Sequence, residues 1–147
     1  MLVGLQHTHW LLAALVLIVL SVTVLSMVIG LGMKAKFNNF ANRVTLFSLI
    51  LAHLQFVVGL VLYFVSPLGM KAFENPDVMS NAASRFYAVE HIAINIIAII
   101  LITVGRSGLK RKTTDNAKFR HGLIFFGLGL VLIMSRVPWE RLFTLPF

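Results

Sequence analysis

Residues 10–33 are 24 consecutive positions without a charged side chain, opened by Trp10. As a helix rising 1.5 Å per residue, the run reaches roughly 36 Å, more than the hydrocarbon core of a bilayer. In lipid every backbone amide must find its partner within the protein, so such a run folds as helix or not at all. Three further apolar stretches follow, at residues 44–66, 81–104 and 116–136. The expected fold is an all-α integral membrane protein: a single domain over residues 1–147, built as a four-transmembrane-helix up-down bundle. Its helices are expected at about residues 9–33, 44–66, 81–104 and 116–136. The fourth is the shortest. Its charge-free part, residues 121–135, covers only about 22 Å as a helix, so Arg120 and Arg136 must snorkel at its ends.

Composition agrees. Hydrophobic residues make up 59% of the chain and charged residues 12%, about half the share of a water-soluble globule. Mean hydropathy is +0.90. The absence of cysteine excludes disulfides, thiolate ligands, cysteine-held iron–sulfur clusters and c-type haem attachment. The first residues lack a basic n-region, and the run after them exceeds a signal-peptide core. The first helix is therefore expected to belong to the mature structure.

The net charge of +8 invites a nucleic-acid reading, but its distribution argues for topology instead. Lys34, Lys36 and Arg43 follow the first span, and Arg106, Lys110, Arg111, Lys112, Lys118 and Arg120 follow the third. Two spans separate these links, so both lie on one side. The positive-inside rule makes that side cytoplasmic and puts both termini outside. Anionic lipid headgroups are the expected partners of this charge, and no nucleic acid is needed to explain it.

Against this background the polar stretch from Arg85 through Glu90 and His91 to Asn95 stands out, because ionisable groups at membrane depth are costly and signal function. His9 and His91 each precede a long apolar run, entering from the same outer side. Counted back from the cytoplasmic ends their depths differ by roughly 15 Å. A pair of imidazoles on facing helices is the ligand set of a b-type haem, and four-helix bundles build such sites in their cores. We therefore expect His9 and His91 as axial ligands of the haem iron, in a slot between the diagonal first and third helices. Arg85 and Arg136 are expected to pair with the propionates. Glu90 lies about 140° round a helical wheel from Arg85, not at a standard pairing position. Polar helix–helix hydrogen bonding, or a metal or proton site, is the alternative role for the two histidines. His53 with His121 is a candidate ligand pair for a second haem, with a structural or quinone-binding role as the alternative for His53. His7 and His121 otherwise read as interfacial, with His7 the substitute ligand should His9 not serve. The glycines need only let helices approach closely.

The segments Leu51-Ala52-His53-Leu54-Gln55, Gly59, Tyr63 and Phe86-Tyr87-Ala88-Val89-Glu90-His91, with Val137-Pro138-Trp139, resemble a family of small bacterial four-helix membrane proteins described as cytochrome b-like. The chain is also distantly similar to one half of heme A synthase. In that family a helix opening with histidine, one with Gln-x-x-Leu-Gly and a third opening with histidine follow in order. Here His9, Gln55 to Gly59 (with Val58 in the leucine position) and His91 stand in those places. The resemblance implies a haem at the outer side of a bacterial inner membrane. The carboxylate that precedes the first histidine in heme A synthase has no counterpart, and the paired cysteines are missing, so the resemblance does not extend to haem modification. The expected function is a membrane b-type haem-binding protein acting in electron transfer, as a small subunit or redox partner of a respiratory assembly. A haem-free accessory subunit is the alternative, ahead of an enzyme acting on haem or quinone.

Overall fold

The computed structural model describes residues 1–144, so the last three residues of the expected domain lie outside the described residues. Every regular element among them is helical: α1 (Leu2–Gly32), α2 (Asn39–Val65), a 3₁₀ turn (Met70–Glu74), α3 (Ala82–Leu109), α4 (Asp115–Ser135) and the short α5 (Trp139–Phe143). The first four helices are each long and apolar enough to cross a bilayer, which is compatible with a multi-pass membrane protein.

The helix ends follow from local chemistry. Asn38 Oδ1 accepts the Ala41 amide at 3.0 Å and starts α2 well before the charge boundary at Arg43. Asn81 Oδ1 accepts from Ser84 at the head of α3, as its position ahead of the apolar run leads one to expect. Thr114 Oγ1 accepts the Ala117 amide and caps α4. The Asp115 carboxylate instead accepts the Phe37 amide at 3.0 Å, tying the two basic links together at one end of the bundle. At the opposite end Trp10 donates its indole N–H to Leu142 O at 2.9 Å, joining the third turn of α1 to α5.

Helix α1 packs against α2 and α4, and α3 packs against the same two, so α1 and α3 are diagonal. Leu20, Ala52, Ile102 and Phe126, one from each long helix, form the central core cluster. Met27, Ala41 and Phe119 close the core toward the basic end, where the Met27 side chain lies over Gly122. The outward faces are apolar too: Ile18, Val57, Ile100 and Val131 are each more than half exposed.

One element departs from the regular helix. Residues Phe86–Glu90 of α3 form a π turn, in which the backbone bonds run i to i+5. That spacing brings Arg85 and Glu90 together, and Arg85 Nε donates to Glu90 Oε1 at 3.0 Å. The α-helical wheel separates the two residues; the wider π turn overturns that expectation.

Candidate functional site

At the end away from the basic links the bundle core opens into a cavity of about 470 Å³. Its walls can be read as helical stripes. From α1 come Gln6, His9, Trp10, Ala13 and Val16, spaced by three and four. From α2 come Gln55, Gly59 and Tyr63, spaced by four. From α3 come Tyr87, His91, Asn95 and Ile99, again spaced by four. Val137, Pro138, Arg141 and Leu142, around and within α5, cover the open end.

His9 and His91 meet inside this cavity across the bundle diagonal. Their ring centres are 6.3 Å apart and the ring planes are inclined by 68°. The depth mismatch counted from the sequence shrinks because α3 runs on to Leu109 rather than to about residue 104. That extension recovers roughly 7 Å at 1.5 Å per residue.

The two rings are held differently. His91 Nδ1 lies 2.7 Å from Arg136 O, and because a carbonyl only accepts, the ring nitrogen carries the proton. The lone pair is therefore on Nε2. His9 Nε2 lies 3.4 Å from the Gln55 side-chain amide nitrogen, while His9 Nδ1 and Gln55 Oε1 are buried without a hydrogen-bond partner among the described residues. Gly59 sits beside them: a Cβ built there would lie 3.0 Å from His9 Cε1. Buried polar atoms normally find partners, so these two face the cavity with hydrogen-bonding capacity that solvent or a ligand would satisfy.

The 6.3 Å between ring centres is the separation that two imidazoles on a single metal ion would show. An imidazole nitrogen binds its metal at about 2 Å, which puts the ring centre about 3 Å from the metal and two opposed rings about 6 Å apart. No group of three or more His, Cys, Asp or Glu side chains that could hold a bare metal ion occurs among the described residues. The site offers two nitrogens and an apolar slot, so a metal there needs its equatorial ligands from a cofactor.

The other residues named from the sequence lie elsewhere. Arg85 is engaged by Glu90 and by Met79 O at 2.8 Å. Arg136 Nε forms an ion pair with Glu90 Oε2 at 3.5 Å but no hydrogen bond among the described residues, and its Nη1 donates to Ser135 O. Both guanidinium groups turn toward Glu90 and not into the cavity wall, because the π turn brings that carboxylate between them. Arg136 contributes to the site through its backbone carbonyl instead. His53 is on the exposed face of α2, where Nδ1 donates to Leu49 O at 2.8 Å, beside a shallow apolar groove. His121 packs on Phe125 and lies 3.4 Å from Val104 O. The structure does not bring His53 and His121 together. Of the two N-terminal histidines, His9 lines the cavity.

Sequence reasoning missed four contributors: Tyr63, Tyr87, Arg141 and the α5 cover. Tyr63 continues the stripe of Gln55 and Gly59, so the spacing of four already pointed to it. Its hydroxyl donates to Ala88 O at 3.1 Å, supplying a partner to a carbonyl inside the π turn. Arg141 carried no such signal, since only the fold of the C-terminal segment brings it to the cavity. No protein-family model matches the chain, and no curated protein or solved structure shows significant similarity to it.

Proposed function

We propose that the chain is a membrane-embedded b-type haem protein that transfers electrons, with His9 and His91 as the axial ligands. The observation that carries this reading is the His91 hydrogen bond. A histidine that binds metal nearly always gives its other ring N–H to a carbonyl or carboxylate, which fixes the tautomer and raises the basicity of the ligating nitrogen. His91 does this through Arg136 O, across the diagonal from a second buried imidazole with an orphaned nitrogen. The volume of about 470 Å³ is in the range of cofactor sites, and Val16, Ile92 and Ile99 give it apolar walls.

A haem b held by His9 and His91 would supply a one-electron couple. With two imidazoles holding it, the group would favour electron transfer over chemistry on a bound substrate. Glu90, the carboxylate nearest His91 in sequence, is held between Arg85 and Arg136 outside the cavity wall. That arrangement weighs against an enzyme using Glu90 as its acid. The exposed apolar belts on the four long helices and the concentration of basic residues at one end support a bilayer location, with the basic links cytoplasmic and the cavity near the outer face. A respiratory assembly of the bacterial inner membrane is the partner class that fits, in line with the cytochrome b-like resemblance.

The test is to purify the protein from haem-replete cells and record oxidised and reduced spectra with a pyridine-haem assay. A Soret band that shifts on reduction, with one haem per chain, is expected. A colourless protein that takes up no haem on titration overturns the reading.

A further inference from the structure

A cofactor with an apolar body and a charged edge needs one oriented countercharge, and the cavity offers a single candidate. Arg85 and Arg136, the nearest basic residues in sequence to His91 and to the end of α4, are turned toward Glu90. Among the described residues that line the cavity, Arg141 is the only charged side chain. It is exposed, so it stands at the mouth rather than at the level of the histidines.

Its placement comes from three contacts. The guanidinium lies over the Tyr87 ring, 4.7 Å from the centroid, and Tyr87 is one helical turn before His91. The backbone next to it is fixed where Trp10 donates to Leu142 O at 2.9 Å. Arg141 N donates to Pro138 O at 2.9 Å, closing the first turn of α5. A cation stacked on an aromatic face keeps its in-plane N–H groups free to bind a carboxylate. Apolar surroundings make an unpaired carboxylate costly, so a ligand whose body reaches His9 and His91 must leave its anionic edge at the mouth.

We propose that Arg141 is the anion-recognition residue of this cavity, binding the carboxylate edge of a porphyrin whose body lies between His9 and His91. The proposal rests on the haem reading above and deepens it. It also gives α5 a role, since the short helix covers the cavity and carries the charge that orients what enters.

The experiment titrates the detergent-solubilised, haem-free full chain with haem and, in parallel, with haem whose two carboxylates are methyl esters. One charge-assisted hydrogen-bonded pair is expected to favour haem over the ester by about ten- to a hundredfold in the wild type. Arg141→Gln is expected to remove that preference, with affinity for the ester and the low-spin spectrum unchanged. Arg141→Lys should keep part of it. Unchanged ester binding shows that the variant is folded, so a lost preference is a loss of recognition. If Arg141→Gln discriminates between the two porphyrins as the wild type does, Arg141 is not the anion partner. If the wild type gives a low-spin spectrum with neither porphyrin, the haem reading fails and the proposal fails with it.

Discussion

The two ends of the bundle use the same kind of residue to opposite effect. At the basic end Gly122 lies under the Met27 side chain and Gly30 under the Phe119 ring, so each missing side chain is filled by a neighbour. At the cavity end Gly59 faces His9, and the space around that ring stays open. The polar groups divide in the same way. At the basic end Thr23 shares a 2.9 Å hydrogen bond with Ser48 and donates to Val19 O, and Arg106 reaches Asn42 Oδ1 at 2.7 Å and Thr45 Oγ1 at 2.9 Å. At the cavity end His9 Nδ1 and Gln55 Oε1 have no partner among the described residues. One end is satisfied and packed, so its polar groups act on stability. The other is open, and while His91, Tyr63 and Trp10 are paired there, His9 Nδ1 and Gln55 Oε1 are not paired among the described residues.

The sharpest way to break this contrast is to remove a ring. His9→Ala and His91→Ala should each abolish the low-spin haem spectrum while the protein remains extractable and helical by circular dichroism. Retention of the full spectrum in both variants would move the site elsewhere in the molecule.

Next in size is an exchange of glycines. Gly59→Leu should fill the cavity beside His9 and prevent haem uptake. Gly122→Leu should overpack the region under Met27 and cost about 1–3 kcal/mol of stability while leaving haem stoichiometry intact. Denaturant unfolding in detergent and the pyridine-haem assay read the two effects separately. Equal loss of haem in both variants would mean that the ends are not independent.

A smaller effect is expected from the polar contact at the packed end. A double-mutant cycle of Thr23→Ala and Ser48→Ala should give a coupling of about 0.6 kcal/mol, the average for interhelical hydrogen bonds in membrane proteins. Haem binding should not respond, and a shift in the haem spectrum would contradict the separation of the two ends.

The smallest effect is predicted for His53→Ala. His53 is exposed and bonded to a carbonyl of its own helix, so stability should change by no more than about 0.5 kcal/mol and haem content not at all. Loss of one of two haems would instead restore His53 as a ligand.

Part of this was legible in the chain itself. The four long apolar runs appear as four long helices, since hydrophobic runs and charge boundaries are local properties. The spacing by four of Gln55, Gly59 and Tyr63 is a local property as well, and it put all three on one wall. The histidines were singled out by being polar within apolar runs, a cost that the sequence displays directly. Helix ends were less legible. Caps such as Asn38 and Thr114 act through single side-chain bonds, and α3 continues past the point where its apolar run stops.

The sequence by itself determined that the chain forms long apolar helices with nine of its thirteen basic residues on or flanking two links. It also marked His9 and His91 as the pair to watch. Only the tertiary structure decided what those residues face. Diagonal packing brings the two rings to 6.3 Å, and the carbonyl that orients His91 belongs to Arg136, 45 residues away. The π turn sets Arg85 and Arg136 against Glu90, and the fold of the C-terminal segment brings Arg141 to the cavity mouth. Periodicity reports which face of a helix a residue occupies. What lies opposite that face depends on contacts between distant segments, and these form only when the bundle closes.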